Sequence, residues 1–172
     1  MNRDVQTISA DACAPGAGGA GSIPCVSEQT EGQIVVAASA AEIMDVLTDY
    51  EAYPDWADVK SVQVLERGEG GLGTKVAFEV EVPVLGRASY TLAYRYAPAD
   101  GGMSWVSTQA RGAVSDISGE YLLREADEDE TTVIYRLRVE IGVLLPGFVR
   151  TQGEKRVIDN ALERLKQRVE SG

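Results

Sequence analysis

Between Val59 and Ile141 the apolar residues recur at every second position. Val76, Phe78, Val80 and Val82 are separated by Ala77, Glu79 and Glu81. Tyr90, Leu92, Tyr94 and Tyr96 are separated by Thr91, Ala93 and Arg95. Val133, Tyr135, Leu137, Val139 and Ile141 are separated by Ile134, Arg136, Arg138 and Glu140. Successive strand side chains point to opposite faces, so each run predicts an antiparallel strand with one apolar face and one wet face. Met103–Gln109 and Val114–Arg124 read as further strands with less regular alternation. Turn chemistry separates the runs at Gly68–Gly73, Pro83–Gly86, Asp100-Gly101-Gly102, Arg111-Gly112 and the acidic stretch Glu125–Glu130. That acidic stretch lacks the alternating ligands and turn glycine of a calcium loop, so it reads as a solvated hairpin tip.

The pattern differs at the two ends. Ile34–Ala38 is a short β-prone run, and Ser39 with Glu42 forms a capping box that starts a helix carrying Ile43, Met44, Val46 and Leu47. Asp49 can cap a second short helix, which Pro54-Asp55 is expected to end. From about Pro146 to Glu170 the period is helical, with an apolar stripe of Val149, Val157, Ile158, Ala161, Leu162, Leu165 and Val169. Arg150/Glu154, Lys155/Asp159 and Lys166/Glu170 are four apart and read as its polar face.

A sheet with one apolar face needs cover, and this last helix is the only large element available to supply it. The expected class is α+β, a curved antiparallel sheet of about seven strands around a long C-terminal helix, with two short helices after the first strand. A strongly twisted sheet does not close on one helix along its whole length, so space between them is expected. Counting back along the stripe, Gly153 takes the next inward position, at a cost of about 1 kcal/mol in helix propensity. Either its missing side chain opens a pocket, or a strand backbone packs closely there.

Composition changes this picture in three ways. Residues 1 to about 30 include the small-residue run Ala14–Gly21, which cannot bury enough surface to offset its ordering entropy. A disordered tail is expected there, with one domain over 31–172. The tail has neither the basic start nor the apolar centre of a secretory signal, and its Cys13 and Cys25 match no metal spacing; a cytoplasmic setting is expected. A net charge of −11 disfavours phosphate backbones, so nucleic acid is not an expected partner. The chain has no histidine, which removes imidazole bases, Ser-His and Cys-His nucleophile pairs and the common zinc sites. Neither a metal nor a cofactor is expected.

Asp49-Tyr50-Glu51-Ala52-Tyr53-Pro54-Asp55-Trp56, followed by Val59–Glu66, resembles the second-helix and second-strand signature of the SRPBCC superfamily. That superfamily includes polyketide cyclases/dehydrases, START lipid-transfer domains and coenzyme Q-binding proteins. Gly86–Tyr90 and Asn160–Lys166 are similar too, and the match spans about residues 33 to 170. The resemblance implies a helix-grip, START-like fold with a cavity between sheet and terminal helix. Strand parity puts Phe78, Val80, Tyr90, Leu92, Tyr94, Tyr96, Trp105, Tyr135 and Leu137 on its lining, with Gly153 and Arg156 from the helix. Buried tyrosine hydroxyls need partners, which a pocket with a polar guest or water supplies.

Besides a role mainly through protein contacts, for which the sequence carries no interface signature, two functions remain open on this reading. One is binding or transport of a hydrophobic small molecule: a lipid, an isoprenoid quinone or a polyketide-like compound. The other is a polyketide aromatase/cyclase or dehydrase, which needs an acid and a base at an enolisable carbonyl. Family cyclases typically use a pocket arginine with tyrosines, whereas Arg95, Arg136 and Arg138 have outward parity here. No catalytic residue is therefore assigned, and binding is favoured over chemistry. The turns around Val84-Leu85, Arg111-Gly112 and Val143–Leu145 are expected to gather at the cavity mouth, with Leu85, Leu144 and Leu145 as a lid able to touch a membrane.

Overall fold

The computed structural model of the chain describes residues 29–97 and 101–172. The expected disordered tail, with Cys13 and Cys25, and the first part of the turn before Gly101 fall outside the described residues. Strand β1 (Thr30–Val36) leads into α1 (Ala40–Thr48), a 3₁₀ turn at Tyr50–Ala52 and α2 (Tyr53–Trp56). Six strands follow: β2 (Ser61–Arg67), β3 (Gly73–Val82), β4 (Gly86–Ala97), β5 (Gly102–Gly112), β6 (Val114–Asp127) and β7 (Glu130–Ile141). The long helix α3 (Gly147–Glu170) ends the fold. This is the α+β arrangement that the alternation implied.

The seven strands form one antiparallel sheet in the order β1-β7-β6-β5-β4-β3-β2. Strands β2 to β7 are a meander, and the two short helices carry the chain from β1 on one edge to β2 on the other. The capping box forms as read, with Ser39 accepting from Glu42 N and Glu42 accepting from Ser39 N at 2.9 Å. Pro54 does not end the second helix; it occupies the first turn of α2, where its missing N–H costs nothing. One acid of the β6–β7 hairpin has a structural role, since Glu125 accepts from the N–H of Ala40 at the start of α1.

Helix α3 lies along β1 and β7. Four helical residues advance about 6 Å and two strand residues about 6.6 Å, so the two elements stay nearly in step. The contacts repeat accordingly. Glu154 receives the Thr30 hydroxyl at 2.5 Å, Ile158 sits over Gly32, Lys166 donates to the Val35 carbonyl at 2.8 Å, and Glu170 accepts from Ala37 N at 3.0 Å. A β-carbon on Gly32 would lie 2.5 Å from Ile158 Cγ2, so this close approach requires glycine. Ile158, Leu162 and Leu165 are buried against the sheet.

The inward position one turn before Ile158 is Glu154, 6% exposed, and not Gly153. Beyond Thr30, where β1 starts, β7 has lost its edge partner, and Glu154 accepts from Val139 N at 2.9 Å in place of one. Glu154 therefore does not belong to a solvent-facing pair with Arg150, and among the described residues only Lys166–Glu170 of the three expected i,i+4 pairs forms, at 3.5 Å. Val149, Gly153 and Val157 follow one another at four-residue spacing on an exposed face, and a β-carbon on Gly153 would meet nothing within 4 Å.

The sheet is split at one end. Strands β5 and β6 pair from Gly102↔Leu122 to Val106↔Ser118 and then diverge, β5 staying with β4 and β6 with β7. Ser107 holds the fork by accepting from Ile117 N at 3.1 Å and donating to the Asp116 carboxylate.

Glycine substitutions separate these environments. Gly32→Ala is expected to destabilise the fold by about 1–3 kcal/mol through overpacking against Ile158. Gly153→Ala is expected to stabilise it by about 1 kcal/mol, because an exposed helical glycine gains propensity and meets no obstacle. Urea unfolding midpoints measure both, and a destabilising Gly153→Ala would place that position in a contact the fold does not contain.

Candidate ligand site

The concave face is built from aromatic rings. All seven tyrosines, both tryptophans and Phe78 form one continuous chain of ring contacts, with centroids 4.4–6.5 Å apart. The 3₁₀ turn and α2 contribute Tyr50, Tyr53 and Trp56; the strands contribute Phe78, Tyr90, Tyr94, Tyr96, Trp105, Tyr121 and Tyr135. Alternation along each strand is what points the strand rings to one side. Trp105 reaches its place because its partner in register is Gly119, where a β-carbon would come within 2.7 Å of the indole.

The hydroxyls fall into two groups. Three are committed to the scaffold. Tyr50 donates to Tyr96 at 2.7 Å, Tyr96 donates to the Gly73 carbonyl at 2.5 Å, and Tyr53 donates to the Leu47 carbonyl at 2.8 Å. The hydroxyls of Tyr90, Tyr94, Tyr121 and Tyr135 donate to no backbone or carboxylate acceptor among the described residues. They are not sealed either, since the only fully enclosed side-chain polar atom left unpartnered there is Trp56 Nε1. The Tyr135 hydroxyl donates to Tyr121, which leaves the hydroxyls of Tyr121, Tyr94 and the half-buried Tyr90 to donate to water or a guest. Tyr94, Tyr121 and Tyr135 surround Trp105, at 5.9, 5.3 and 5.7 Å between ring centroids, while Tyr90 stacks on Phe78 at 5.7 Å.

Burial keeps all of these phenols protonated. It pushes Tyr90 up to about 12, and holds Tyr94, Tyr121 and Tyr135 well above the ordinary phenol value, reinforced by neighbouring phenols. Among the described residues no cation lies beside them to pull the values down. Arg136 faces outward, bound to Glu31 at 2.5 Å and Glu120 at 2.8 Å, and Arg138 pairs with Glu140. Glu154, the one buried carboxylate among the described residues, has both oxygens engaged. The face is thus neutral, aromatic and rich in hydroxyl donors.

Of the residues marked from sequence, Phe78, Val80, Tyr90, Leu92, Tyr94, Tyr96, Trp105, Tyr135 and Leu137 lie at or beneath this concave face. Leu137 is core packing opposite Thr30, and Tyr96 is committed to Tyr50 and Gly73. Gly153 and Arg156 stand apart on exposed parts of α3. Tyr121 was missed because Gly119 and an irregularity between Val114 and Asp116 obscure the alternation of β6. Tyr50 and Tyr53 were visible only as part of a signature string. The space anticipated between sheet and helix is largely occupied by rings. Two depressions, of about 500 Å³ between α2 and the outer face of α3 and about 380 Å³ beside Arg87 and Arg111, are not lined by the four phenols. Among the described residues no cluster of carboxylates is placed to hold a metal ion, and no helix is long and apolar enough to cross a membrane.

The sequence model of the family described as polyketide cyclase / dehydrase and lipid transport matches residues 36–166. The chain belongs to this family. No curated protein matches the chain by sequence. Solved structures similar to it include a START superfamily protein from Mycobacterium smegmatis, at 24% identity and TM-score 0.76 over 83% of this chain and 97% of that one. The Zhui aromatase/cyclase from Streptomyces sp. R1128 is 20% identical with TM-score 0.68, covering 83% and 93%. A STAR-related lipid transfer protein from Xanthomonas axonopodis is 19% identical with TM-score 0.61, covering 81% and 84%. These likenesses establish the START-like fold of this family member.

The raised phenols give a pH prediction. Each folded tyrosine holds its proton above the value near 10 that governs the unfolded chain. Their stabilising contribution is complete below about pH 10 and is lost as pH rises through the folded values. The tyrosinate absorbance should therefore stay low past pH 10 and rise with global unfolding. A smooth titration centred near 10, with the fold intact, would contradict the burial of these rings.

Proposed function

We propose that this family member binds and carries an uncharged, apolar small molecule that bears oxygen acceptors, held against the four phenols between sheet and α3. The observation that carries the proposal is the set of neutral hydroxyls on Tyr90, Tyr94 and Tyr121, which have no scaffold acceptor, the last two beside Trp105. Such hydroxyls orient a guest through its carbonyl or ether oxygens while the rings supply apolar contact. A free carboxylate is a poor fit, because no guanidinium or ammonium faces it and burying a bare charge is expensive. Covering about 300 Å² of ligand apolar surface is worth at most roughly 7 kcal/mol before association costs, which sets a micromolar scale.

The aromatase/cyclase among the structural neighbours raises the alternative that a polyketide reacts here. Acid–base work near neutrality needs a group that exchanges its proton there. Phenols pushed upward by burial donate hydrogen bonds but do not act as bases, so the interior favours holding over converting. Carriage of a lipid, quinone or polyketide-like molecule remains the reading these residues support best.

Native mass spectrometry of the protein incubated with a lipid extract is expected to retain an apolar guest. Quenching of Trp105 fluorescence should then rank an aryl ketone or methyl ester at least about ten-fold above the matching carboxylate. Tyr94→Phe with Tyr121→Phe should weaken the neutral ligand about thirty-fold, at roughly 1 kcal/mol per lost hydrogen bond, without unfolding the protein. An empty protein, or a preference for the carboxylate, would remove this proposal.

A further inference from the structure

We infer that the end of the molecule formed by the β3–β4 turn, the β5–β6 turn and the link from β7 to α3 docks on an anionic lipid bilayer. These segments are joined directly. Ala113 N donates to the Arg87 carbonyl at 3.4 Å, and Gly142 N donates to the Ala113 carbonyl at 3.3 Å. Their tips are apolar and bare: Val84 and Leu144 are each 104% exposed and Phe148 is 69% exposed. Phe148 is the one aromatic residue of the chain that does not join the interior ring contacts. Leu85, expected at the tip, instead packs against the core, and Val84 takes its place outside.

The conformation of Val84 supports a role for that exposure. Leu85 N donates to the Val82 carbonyl at 3.1 Å, closing a turn with Pro83 second and Val84 third. Val84 has φ 71°, the left-handed region where such turns ordinarily place glycine. A β-branched residue is strained there, and its side chain makes no compensating contact with the fold.

Charge identifies the occupant. The protein carries −11 overall, yet no acid occurs from Val82 to Ala97, from Gly101 to Ser115 or from Ile141 to Gly153. Those stretches supply Arg87, Arg111 and Arg150, and among the described residues neither Arg111 nor Arg150 is in an ion pair. Of the carboxylates bordering this end, Glu79, Glu81 and Glu140 face Arg87, Lys60 and Arg138 respectively, and Asp116 accepts from the Ser107 hydroxyl. Exposed apolar tips with a surrounding set of guanidinium groups match acyl chains beneath phosphate headgroups, while the acidic remainder is held away from the surface. The β5–β6 fork opens at the same end. The inference stands on this surface alone and does not depend on what the interior holds.

Vesicle flotation of the full chain tests it, using phosphatidylcholine alone and phosphatidylcholine mixed with phosphatidylglycerol. The protein should float with the mixed vesicles at low salt, be released by added salt, and stay behind with phosphatidylcholine alone. Arg111→Gln and Arg150→Gln should each weaken binding about five-fold, and Leu144→Ser with Phe148→Ser by at least about ten-fold. Val84→Gly should raise the melting temperature and lower binding, a combination that a misfolded variant does not give. Failure of the folded protein to float with the mixed vesicles, or flotation unaffected by all of these changes, would overturn the inference. So would self-association that Leu144→Ser and Phe148→Ser abolish, since the surface would then receive a second copy of the chain. Retention of the guest in native mass spectrometry by the same variants reports on the interior separately.

Discussion

The near match between four residues of helix and two residues of strand is the constraint from which the rest of this fold follows. Because α3 and β1 advance almost in step, one helix face can meet one strand face repeatedly, from Glu154 on Thr30 to Glu170 on Ala37. Glycine at position 32 lets the two backbones approach, and Ile158 fills the space that a side chain there would need. Fixing the helix on the β1–β7 side commits its apolar surface to that edge of the sheet. The concave surfaces of β3 to β6 must then be covered by something else. Rings from the strands themselves, with Tyr50 and Tyr53 arriving from the short helices, provide that cover.

Covering a sheet with phenols differs from covering it with aliphatic chains. Each ring buries a large apolar area but carries a hydroxyl that must be answered. Three of the seven hydroxyls are answered within the scaffold, and these tie the 3₁₀ turn and α2 to the sheet. A fourth, on Tyr135, donates to Tyr121, and those of Tyr90, Tyr94 and Tyr121 have no scaffold acceptor. The aliphatic alternative at those positions would pack equally well without leaving polar groups exposed to an interior. On the proposed function, what the hydroxyls add is a means of recognising an oxygen-bearing guest without any charge. The same burial that keeps them protonated also keeps them from serving as bases near neutrality.

Much of the fold was legible because strand alternation is a direct consequence of backbone geometry, and β3, β4 and β7 alternate with few exceptions. The capping box and the terminal helix were equally plain. Legibility failed where one residue served two environments. Val149 and Val157 drew the inferred inward face of α3 about 100° away from the true one, so Gly153 was read as inward and Glu154 as solvated. A buried carboxylate four residues after an arginine cannot be told from a surface pair without knowing that β7 lacks an edge partner there. Tyr121 was hidden by Gly119, which breaks the alternation of β6 in order to admit Trp105. At the β3–β4 turn, composition gave an apolar tip but not which residue points outward, because that depends on the positive φ of Val84.

The exposed valines of α3 acquire a meaning once its inward face is corrected. An apolar stripe on a helix is normally its buried side, yet Val149 and Val157 remain in solvent beside a glycine that blocks nothing. They lie on the first half of α3, next to the acid-free, arginine-bearing end of the molecule, while the second half of the helix is firmly packed. Glu154 marks the boundary between the two, and it is the last residue toward that end whose side chain fastens α3 to the sheet. A helix anchored over half its length leaves the apolar side chains of the other half in solvent. On the proposed function, this apolar half of α3, beside the end inferred to dock on lipid, is where a guest would approach the phenols.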